Sequence, residues 1–359
     1  MMKLNLLILS LALLIFVNIS QSHKDDVTPI DTICEYFMDE RGYVSKCPNV
    51  IVKSENDRVR FTGVQMEGKT NEDVKFLEIA PPSNIAYLPS QDFFYYQNFE
   101  KLEAKNVNIQ ILDYVYHCRP LTYIGLSYNH IKEIIYDAFF ICRDLMILDL
   151  SHNEIAKIHE NAFGQTKNLE ELDLSFNQLT SISRKLFKPA KKLRKLNFKN
   201  NKIKSLPYDV FNDLFDLTSL DLSSNPIKMF DGRLFDFVMH LEWLDLSETS
   251  VKKFTPGIFK SLKRLKYLDI SSNALLSLDG ETLTKNSELE ELRLNDCSIV
   301  DIGKRFFDKT NKLKVVEAKN NKCTNGVFKG TIDEILLNFD VCFKNSDNQK
   351  REPHYNGEL

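Results

Sequence analysis

The sequence has little glycine, a single tryptophan and no large excess of charge of either sign. Its 359 residues include 12 glycines and one tryptophan, and the formal net charge is −3. It contains no His-Glu-x-x-His, Cys-x-x-Cys or Gly-x-Ser-x-Gly motif, and its seven histidines are not grouped at the spacing of metal ligands. We therefore predict that the protein is not an enzyme and has neither a cofactor nor a metal site. Because the chain is mildly acidic, nucleic acid is not expected as its main partner.

Long hydrophobic runs are also scarce, and the only one lies at the start of the chain. Residues 4–17 are almost entirely apolar and precede Ser20 and Ser22, the small residues expected before a cleavage at His23. Residues 1–22 therefore read as a signal peptide. No later run is long enough for a membrane span, and residues 344–359 form a polar tail without the hydrophobic end of a lipid-anchor signal. We predict a secreted, extracellular protein.

One repeated unit makes up most of the chain. The segment from Leu145 to Ile155 follows the pattern L-x-x-L-x-L-x-x-N-x-I, and the pattern begins again every 24 residues. Its starts are Leu121, Leu145, Leu169, Leu193, Leu217, Leu241, Leu265, Leu289 and Leu313. A fixed period of this length indicates a solenoid, in which stacked units share one core because no unit can bury its apolar side alone. The chain thus resembles the extracellular leucine-rich repeat family.

The resemblance implies an α/β solenoid, a right-handed horseshoe with a parallel β-sheet on its concave side and a disulfide cap at each end. About eleven turns are expected, because two irregular repeats starting at Val74 and Phe99 precede the regular ones. The implied segments are the signal peptide (1–22), an N-terminal cap (23–73), the repeats (74–322), a C-terminal cap (323–343) and the polar tail (344–359).

The ninth place of the repeat predicts a column of buried asparagines. There the chain turns inward and leaves backbone groups facing the core, and a side-chain amide can both donate to them and accept from them. The column comprises Asn129, Asn153, Asn177, Asn201, Asn225, Asn273 and Asn321. Thr249 takes the ninth place in one further repeat.

The chain contains seven cysteines, and export from the cell permits disulfides. Solenoids need atypical end units to cover the exposed core. Extracellular leucine-rich proteins commonly close such caps with disulfides, so the resemblance implies the pairs Cys34–Cys47 and Cys323–Cys342.

The other three cysteines lie within the repeats. Cys118 and Cys142 each lie three residues before a repeat start, at a core place. Two readings remain open for them, a disulfide between stacked turns or two small buried thiols. Cys297 takes the ninth place of its repeat, where cysteine is a known alternative to asparagine, which favours a buried structural thiol.

Exposed aromatic residues are the first candidates for partner binding. Strand residues between the leucines should point out of the concave face, and most of them are Asp or Ser. Against this background the candidates are Tyr123, Tyr128, Phe176, Trp243 and Tyr267. Trp243 and Tyr267 share the third place of neighbouring repeats, so we expect them to lie side by side. Aromatic side chains contribute strongly to interfaces, although incidental surface aromatics are the alternative.

The repeat that starts at Leu193 is strongly basic in this otherwise mildly acidic chain. Residues 184–204 include ten lysines and arginines and no acid. We define the basic band as Lys188, Lys191, Lys192, Arg194, Lys195 and Lys199, a candidate site for sulfated glycan or another anionic surface. The alternative is local neutralisation, because Glu171 on the preceding turn should neighbour Lys195.

The layout is similar to that of insect secreted leucine-rich proteins, including mosquito immune proteins of this class, and to Toll-type ectodomains. That resemblance implies a recognition protein whose concave face binds a protein ligand or receptor, with a role in innate immunity. Two other functions fit the same sequence. One is an adhesion or extracellular-matrix protein that binds sulfated glycan or matrix, and the other is a soluble inhibitor or decoy of a receptor or protease.

Overall fold

Each repeat contributes one short strand to a continuous sheet, because the leucines at its fourth and sixth places point into the core. The computed structural model describes residues 28–343; the predicted signal peptide and polar tail lie outside these residues. Leu148 is fully buried, whereas Ile147 and Asp149 on either side of it are half-buried, as strand alternation requires. Within the described part of the chain, no helix has both the length and the apolar character to cross a membrane.

The strands are short and are named in chain order. They are β1 (Ile30–Ile33), β2 (Glu35–Asp39), β3 (Gly42–Pro48), β4 (Ile51–Val52), β5 (Val59–Thr62), β6 (Phe76–Ala80), β7 (Asn84–Ile85), β8 (Lys101–Glu103), β9 (Tyr123–Gly125), β10 (Glu133–Ile134), β11 (Ile147–Asp149), β12 (Lys157–Ile158), β13 (Glu171–Asp173), β14 (Lys195–Asn197), β15 (Ser219–Asp221), β16 (Trp243–Asp245), β17 (Tyr267–Asp269), β18 (Ser277–Leu278), β19 (Glu291–Arg293), β20 (Asp301–Ile302), β21 (Val315–Glu317) and β22 (Val327–Lys329).

Fourteen of these strands form the main sheet, in the order β2-β3-β6-β8-β9-β11-β13-β14-β15-β16-β17-β19-β21-β22. Pairing is parallel except at the two ends, where β2 and β3, and β21 and β22, are antiparallel. In the regular part, each residue pairs with the residue 24 positions on, as Trp243 does with Tyr267. The eleven strands from β6 to β21 correspond to the predicted turns, and the predicted solenoid fold is confirmed.

The convex side is built from turns rather than α-helices, so the solenoid is mostly sheet. The described residues contain short 3-10 helices at Asn71–Asp73, Ser90–Tyr95, Arg184–Phe187 and Leu337–Phe339, and the α-helix α1 at Ile332–Leu336. The segment 150–170, which links β11 to β13, contains turns and the two-residue strand β12 rather than a helix. The phenylalanines of these segments are buried instead, and Phe139 and Phe163 lie with their ring centroids 5.7 Å apart.

A disulfide-bonded cap covers the core at each end of the solenoid. Cys34, between β1 and β2, is joined to Cys47 in β3, which closes the β2–β3 hairpin. At the other end Cys323 is joined to Cys342. The helix α1 of this cap begins with a capping box, in which Thr331 and Glu334 satisfy each other's backbone N–H groups. Both caps thus shield apolar side chains that the outermost turns would otherwise expose.

Each ninth-place asparagine ties its turn to the preceding one. The Oδ1 atom of Asn177 accepts the Ile155 N–H at 2.9 Å. Its Nδ2 group donates to Leu150 O, Leu174 O and Ser175 O at 2.9–3.1 Å. The other members of the column make the same kind of contacts (Asn129, Asn153, Asn201, Asn225, Asn273 and Asn321). Backbone groups that turn into the core are thereby satisfied.

The repeat cysteines differ in state. Cys118 and Cys142 form a disulfide between two stacked turns, so the first of the two open readings describes this pair. Cys297 is a free, buried thiol whose Sγ donates to the carbonyl oxygens of Ile270 and Asn295 at 3.2 and 3.3 Å. Burial raises the pKa of this thiol to about 11, which keeps it protonated and unreactive.

Candidate recognition surface

The concave sheet presents two parallel columns of side chains, from the third and the fifth place of each repeat. In the regular repeats the third-place column reads Tyr123, Ile147, Glu171, Lys195, Ser219, Trp243, Tyr267, Glu291 and Val315. The fifth-place column reads Gly125, Asp149, Asp173, Asn197, Asp221, Asp245, Asp269, Arg293 and Glu317. The two columns line a shallow depression that extends from Tyr123 to Trp243.

Trp243 and Tyr267 stack on each other in the third-place column. Their ring centroids are 5.2 Å apart and the ring planes differ by 6°. The two residues are direct partners on adjacent parallel strands, so their Cα atoms are one strand spacing apart. This is why side chains 24 residues apart in the sequence are in contact. The guanidinium carbon of Arg293 lies 5.3 Å from the Tyr267 ring centroid, a cation–π contact. Sequence reasoning did not include Arg293, although an arginine in a column of aspartates was the available signal.

The fifth-place aspartates accept hydrogen bonds from backbone N–H groups of their own turns. In each of Asp149, Asp173 and Asp245, the Oδ1 atom accepts the N–H of the serine two residues on, at 2.8–2.9 Å. Asp221 does the same with Ser223. Burial raises the pKa of the Asp245 carboxyl to about 6, and its neighbours Asp221 and Asp269 add to the rise by charge repulsion. The column is therefore a strip of partly desolvated negative charge.

Tyr123 lies at the opposite end of the depression and is engaged within the protein. Its hydroxyl donates to Glu103 Oε2 at 2.8 Å. Burial raises the pKa of both groups, since neither the phenolate nor the carboxylate is well solvated there. Tyr123 therefore lines the depression with its hydroxyl group already hydrogen-bonded.

Tyr128 and Phe176 lie on the flank beside the concave sheet rather than on it. They occupy the eighth place, after the strand, where the backbone has positive φ (59° and 53°). His152 lies between them, and its ring stacks on both at centroid distances of 4.1 Å. Lys105 caps the outer face of Tyr128 at 4.8 Å. Sequence reasoning missed His152, although its spacing of 24 residues from each neighbour was visible.

The basic band encircles its turn, so its members do not form one face. Lys195 lies on the concave strand β14 and pairs with Glu171 at 2.7 Å. Lys192 Nζ donates to Asn168 Oδ1 at 2.8 Å, and Lys188 follows the 3-10 helix on the convex side. Among the described residues, no ion pair is formed by Lys188, Lys191, Arg194 or Lys199.

Residues 63–70 have the spacing of a phosphate-binding loop, Gly-x-x-x-x-Gly-Lys-Thr. The segment follows strand β5 but leads only into the three-residue 3-10 helix Asn71–Asp73. Asp73 accepts the Thr70 N–H at 2.9 Å, and Lys69 pairs with the same carboxylate. A carboxylate at the place of the phosphate would repel a nucleotide, so we assign no phosphate site to this loop.

Comparison with known proteins agrees with the fold. The family described as "Leucine rich repeat" matches residues 119–179, 167–227 and 239–299. No curated protein is significantly similar to the chain in sequence.

Several solved structures share the architecture at low sequence identity. The TLR13 chain of a TLR13–ssRNA13 complex has a TM-score of 0.62 and 20% identity, covering 79% of this chain and 46% of that one. A Drosophila Toll–Spatzle complex has a TM-score of 0.59 and 20% identity, covering 78% and 41%. Its glycosylated form has a TM-score of 0.62 and 20% identity, covering 76% and 43%. This chain therefore spans less than half the length of each, and the likeness shows the fold alone.

Proposed function

Since this chain is a leucine-rich repeat protein with the fold of Toll-type ectodomains, we propose that it is a secreted, non-enzymatic recognition protein whose concave face binds another protein. The observation that carries the proposal is the Trp243–Tyr267 stack. The only tryptophan of the chain lies half-exposed on a surface where acidic side chains are the commonest kind. Such rigid aromatic groups supply much of the energy of an interface once a partner covers them.

A role in innate immunity is part of the proposal. The Toll–Spatzle complex is described as a hub in Drosophila development and innate immunity, and it pairs this type of solenoid with a protein. The TLR13 complex contains single-stranded RNA instead. We favour a protein partner here because the fifth-place carboxylates would repel phosphate groups along the concave face.

The test is recovery of partners from body fluid with immobilised protein. We expect Trp243→Ala/Tyr267→Ala to lower recovery of the partner about tenfold or more, since such anchors contribute roughly 2 kcal/mol or more each. The matched control is Tyr128→Ala/Phe176→Ala, which removes two aromatic rings from the flank and should leave recovery unchanged. Equal recovery with both variants would reject the concave aromatic site. A stoichiometry of one partner to one chain would favour the decoy or inhibitor function over matrix adhesion.

A second candidate function, binding of sulfated glycan, is favoured by one charge pattern. Elsewhere, residues 24 apart often carry opposite charges and pair, as Lys266 does with Glu242 and Lys314 with Glu290. On one flank, four successive repeats instead present cations two residues before the first leucine, without an ion pair among the described residues (Arg119, Arg143, Lys167 and Lys191). The basic band meets the end of this row, so a linear polyanion could follow it across the turns.

Heparin chromatography in low salt tests that candidate. We expect Lys191→Ala/Lys192→Ala/Arg194→Ala/Lys195→Ala to elute at lower salt than wild type. A variant with four changes on other parts of the repeats, Lys204→Ala/Lys228→Ala/Lys252→Ala/Lys253→Ala, has the same net charge and should elute later. If the two variants elute together, retention reflects net charge alone and the glycan site is rejected.

A further inference from the structure

We infer that the partner contributes a basic side chain, most suitably an arginine, which packs on the open face of Trp243 above Ser219 and meets the carboxylates of Asp221 and Asp245. The inference rests on the proposed function and names the chemistry of the partner at the same surface. We call this place the Ser219 slot. It is defined by Ser219, Trp243, Asp221 and Asp245.

The two ends of the aromatic stack differ in what covers them. At one end, the Arg293 guanidinium covers the Tyr267 ring at 5.3 Å. At the other end, the in-register neighbour of Trp243 is Ser219. A serine side chain is too short to cover an indole ring that stands out from the sheet. One face of Trp243 therefore remains open towards the Ser219 turn.

The lysine beyond Ser219 is directed away from the slot. Lys195 pairs with Ser219 across the sheet, but its ammonium group is 2.7 Å from Glu171 Oε1, on the turn further away from Trp243. The depression in the concave face continues past this ion pair and ends at Trp243. The slot is therefore an accessible recess beside an aromatic wall.

Two carboxylates adjoin the slot, and each has one oxygen without a hydrogen bond among the described residues. Asp221 uses Oδ1 for both the N–H and the hydroxyl of Ser223, and Asp245 uses Oδ1 for the Ser247 N–H. Asp245 is only 8% exposed. Because a buried carboxylate with a free oxygen lacks full solvation, a cation beside it is favourable.

The occupied end of the stack shows how such a cation would be held. Arg293 lies over Tyr267 and its Nε atom is 2.7 Å from Glu291 Oε1 and 3.6 Å from Glu317 Oε1. An aromatic face and two carboxylates thus hold one guanidinium within the chain. The Ser219 slot offers the same three groups, and among the described residues no cation forms an ion pair with Asp221 or Asp245. A planar guanidinium suits this combination better than an ammonium group, because it stacks on rings and bonds carboxylates in a fork.

The fluorescence of Trp243 reads out the slot directly, because it is the only tryptophan. The probe is an acetylated, amidated tetra-arginine peptide added to the full-length protein, beside a tetra-glutamate peptide and a single-stranded RNA oligonucleotide. We expect a saturable change of the emission with the arginine peptide only. Asp221→Asn/Asp245→Asn should weaken this binding about tenfold, as loss of charge pairs at a desolvated site does. The charge-matched control Glu248→Gln/Asp296→Asn, on the flank, should bind like wild type.

Two further readouts separate a specific slot from general charge attraction. Ser219→Arg places a guanidinium of the chain in the slot and should abolish the response to the arginine peptide. The response of wild type should also weaken as the pH falls from 7 to 5, because Asp245 becomes protonated with a pKa of about 6. Asp221, Asp269, Asp173 and Lys199 face the same strip and shape this titration. Asp221→Asn/Asp245→Asn should remove most of the pH dependence.

The inference is overturned if the emission responds equally to the glutamate peptide or to RNA, or if Asp221→Asn/Asp245→Asn binds as the flank control does. Its failure can be told from failure of the proposed function. If partner recovery depends on Trp243 and Tyr267 but is unaffected by Ser219→Arg, the partner uses the aromatic site without a cation. If the arginine peptide binds but partner recovery is the same for wild type and Trp243→Ala/Tyr267→Ala, the slot exists and the proposed function is rejected.

Discussion

The two halves of the repeat array differ in their buried asparagine column. In the first half, Asn129 to Asn225 fill the ninth place without interruption, and each amide joins its turn to the one before. In the second half, Thr249 and Cys297 interrupt the column. Thr249 Oγ1 donates to Leu246 O within its own turn. An asparagine at position 249 would accept a hydrogen bond from the Ile227 N–H. In its absence, the Ile227 N–H donates to Asn225 O.

This difference shows that strand register does not depend on a complete hydrogen-bond column. The strands β15, β16 and β17 keep the same 24-residue pairing on both sides of Thr249. Packing of the in-register leucines is sufficient for that. The interrupted turn is also the one that carries Trp243, so one repeat departs from the pattern both inside the core and on the concave face. The aromatic stack lies in the irregular half, and the Ser219 slot lies where the two halves meet.

The largest expected effect comes from breaking the column in the regular half. Asn177→Ala leaves the Ile155 N–H without a partner in the core and removes a second hydrogen bond from Leu150 O and Leu174 O, which Asn153 and Asn201 still bond. We expect a loss of about 3 kcal/mol in the free energy of unfolding, since an orphaned buried N–H costs roughly 1–3 kcal/mol and each lost hydrogen bond adds about 1 kcal/mol. Chemical denaturation measures it. A loss below that of Cys297→Ala would contradict the view that the regular half depends more on its amides.

A smaller effect on stability is expected from replacing an aspartate, and it should differ between Asp173 in the first half and Asp245 in the second. Asp173 Oδ2 accepts a hydrogen bond from Asn197 Nδ2 at 3.1 Å, whereas Asp245 Oδ2 has no partner among the described residues. The pKa of Asp245 is raised to about 6, so its contribution to stability is greatest below its unfolded pKa near 4 and is lost as the pH rises to about 6. Asp245→Asn should therefore raise stability at pH 7.5 by about 1–2 kcal/mol, with no gain at pH 4.

Melting temperatures of wild type, Asp245→Asn and Asp173→Asn at the two pH values test this difference. Asp173→Asn serves as the control, because the Asn197 amide already compensates that carboxylate. A gain at pH 4 as large as that at pH 7.5 would show that charge burial is not the cause.

The smallest effect should come from completing the column. Thr249→Asn would supply an acceptor for the Ile227 N–H and a donor for Leu222 O, as Asn225 does for Ile203 and Phe198 one turn earlier. We expect a gain of about 1 kcal/mol, the usual net value of a hydrogen bond. Thermal unfolding measures it, with Thr249→Ser as the control. A neutral or destabilising result would mean that the turn has adapted its shape to threonine.

Much of the fold followed from the sequence because a parallel solenoid converts a sequence distance of 24 into spatial contact. That rule placed Trp243 beside Tyr267 and Glu171 beside Lys195, and it placed the asparagines in one column. It failed where the outcome depended on position around the turn. Tyr128 and Phe176 lie past the strand on the flank, and the basic band is spread around its turn instead of forming one surface.

The amino-acid sequence was sufficient to predict the period, the in-register leucines, the asparagine column and the adjacency of Trp243 and Tyr267, because these depend only on which residues share a place in the repeat. Other features depended on side-chain contacts between turns. The tertiary structure joined Cys118 to Cys142, put Arg293 over Tyr267 and directed Lys195 to Glu171, which leaves one face of Trp243 open above Ser219. Those outcomes depend on the reach and direction of long side chains between turns, which the spacing of a repeat does not specify.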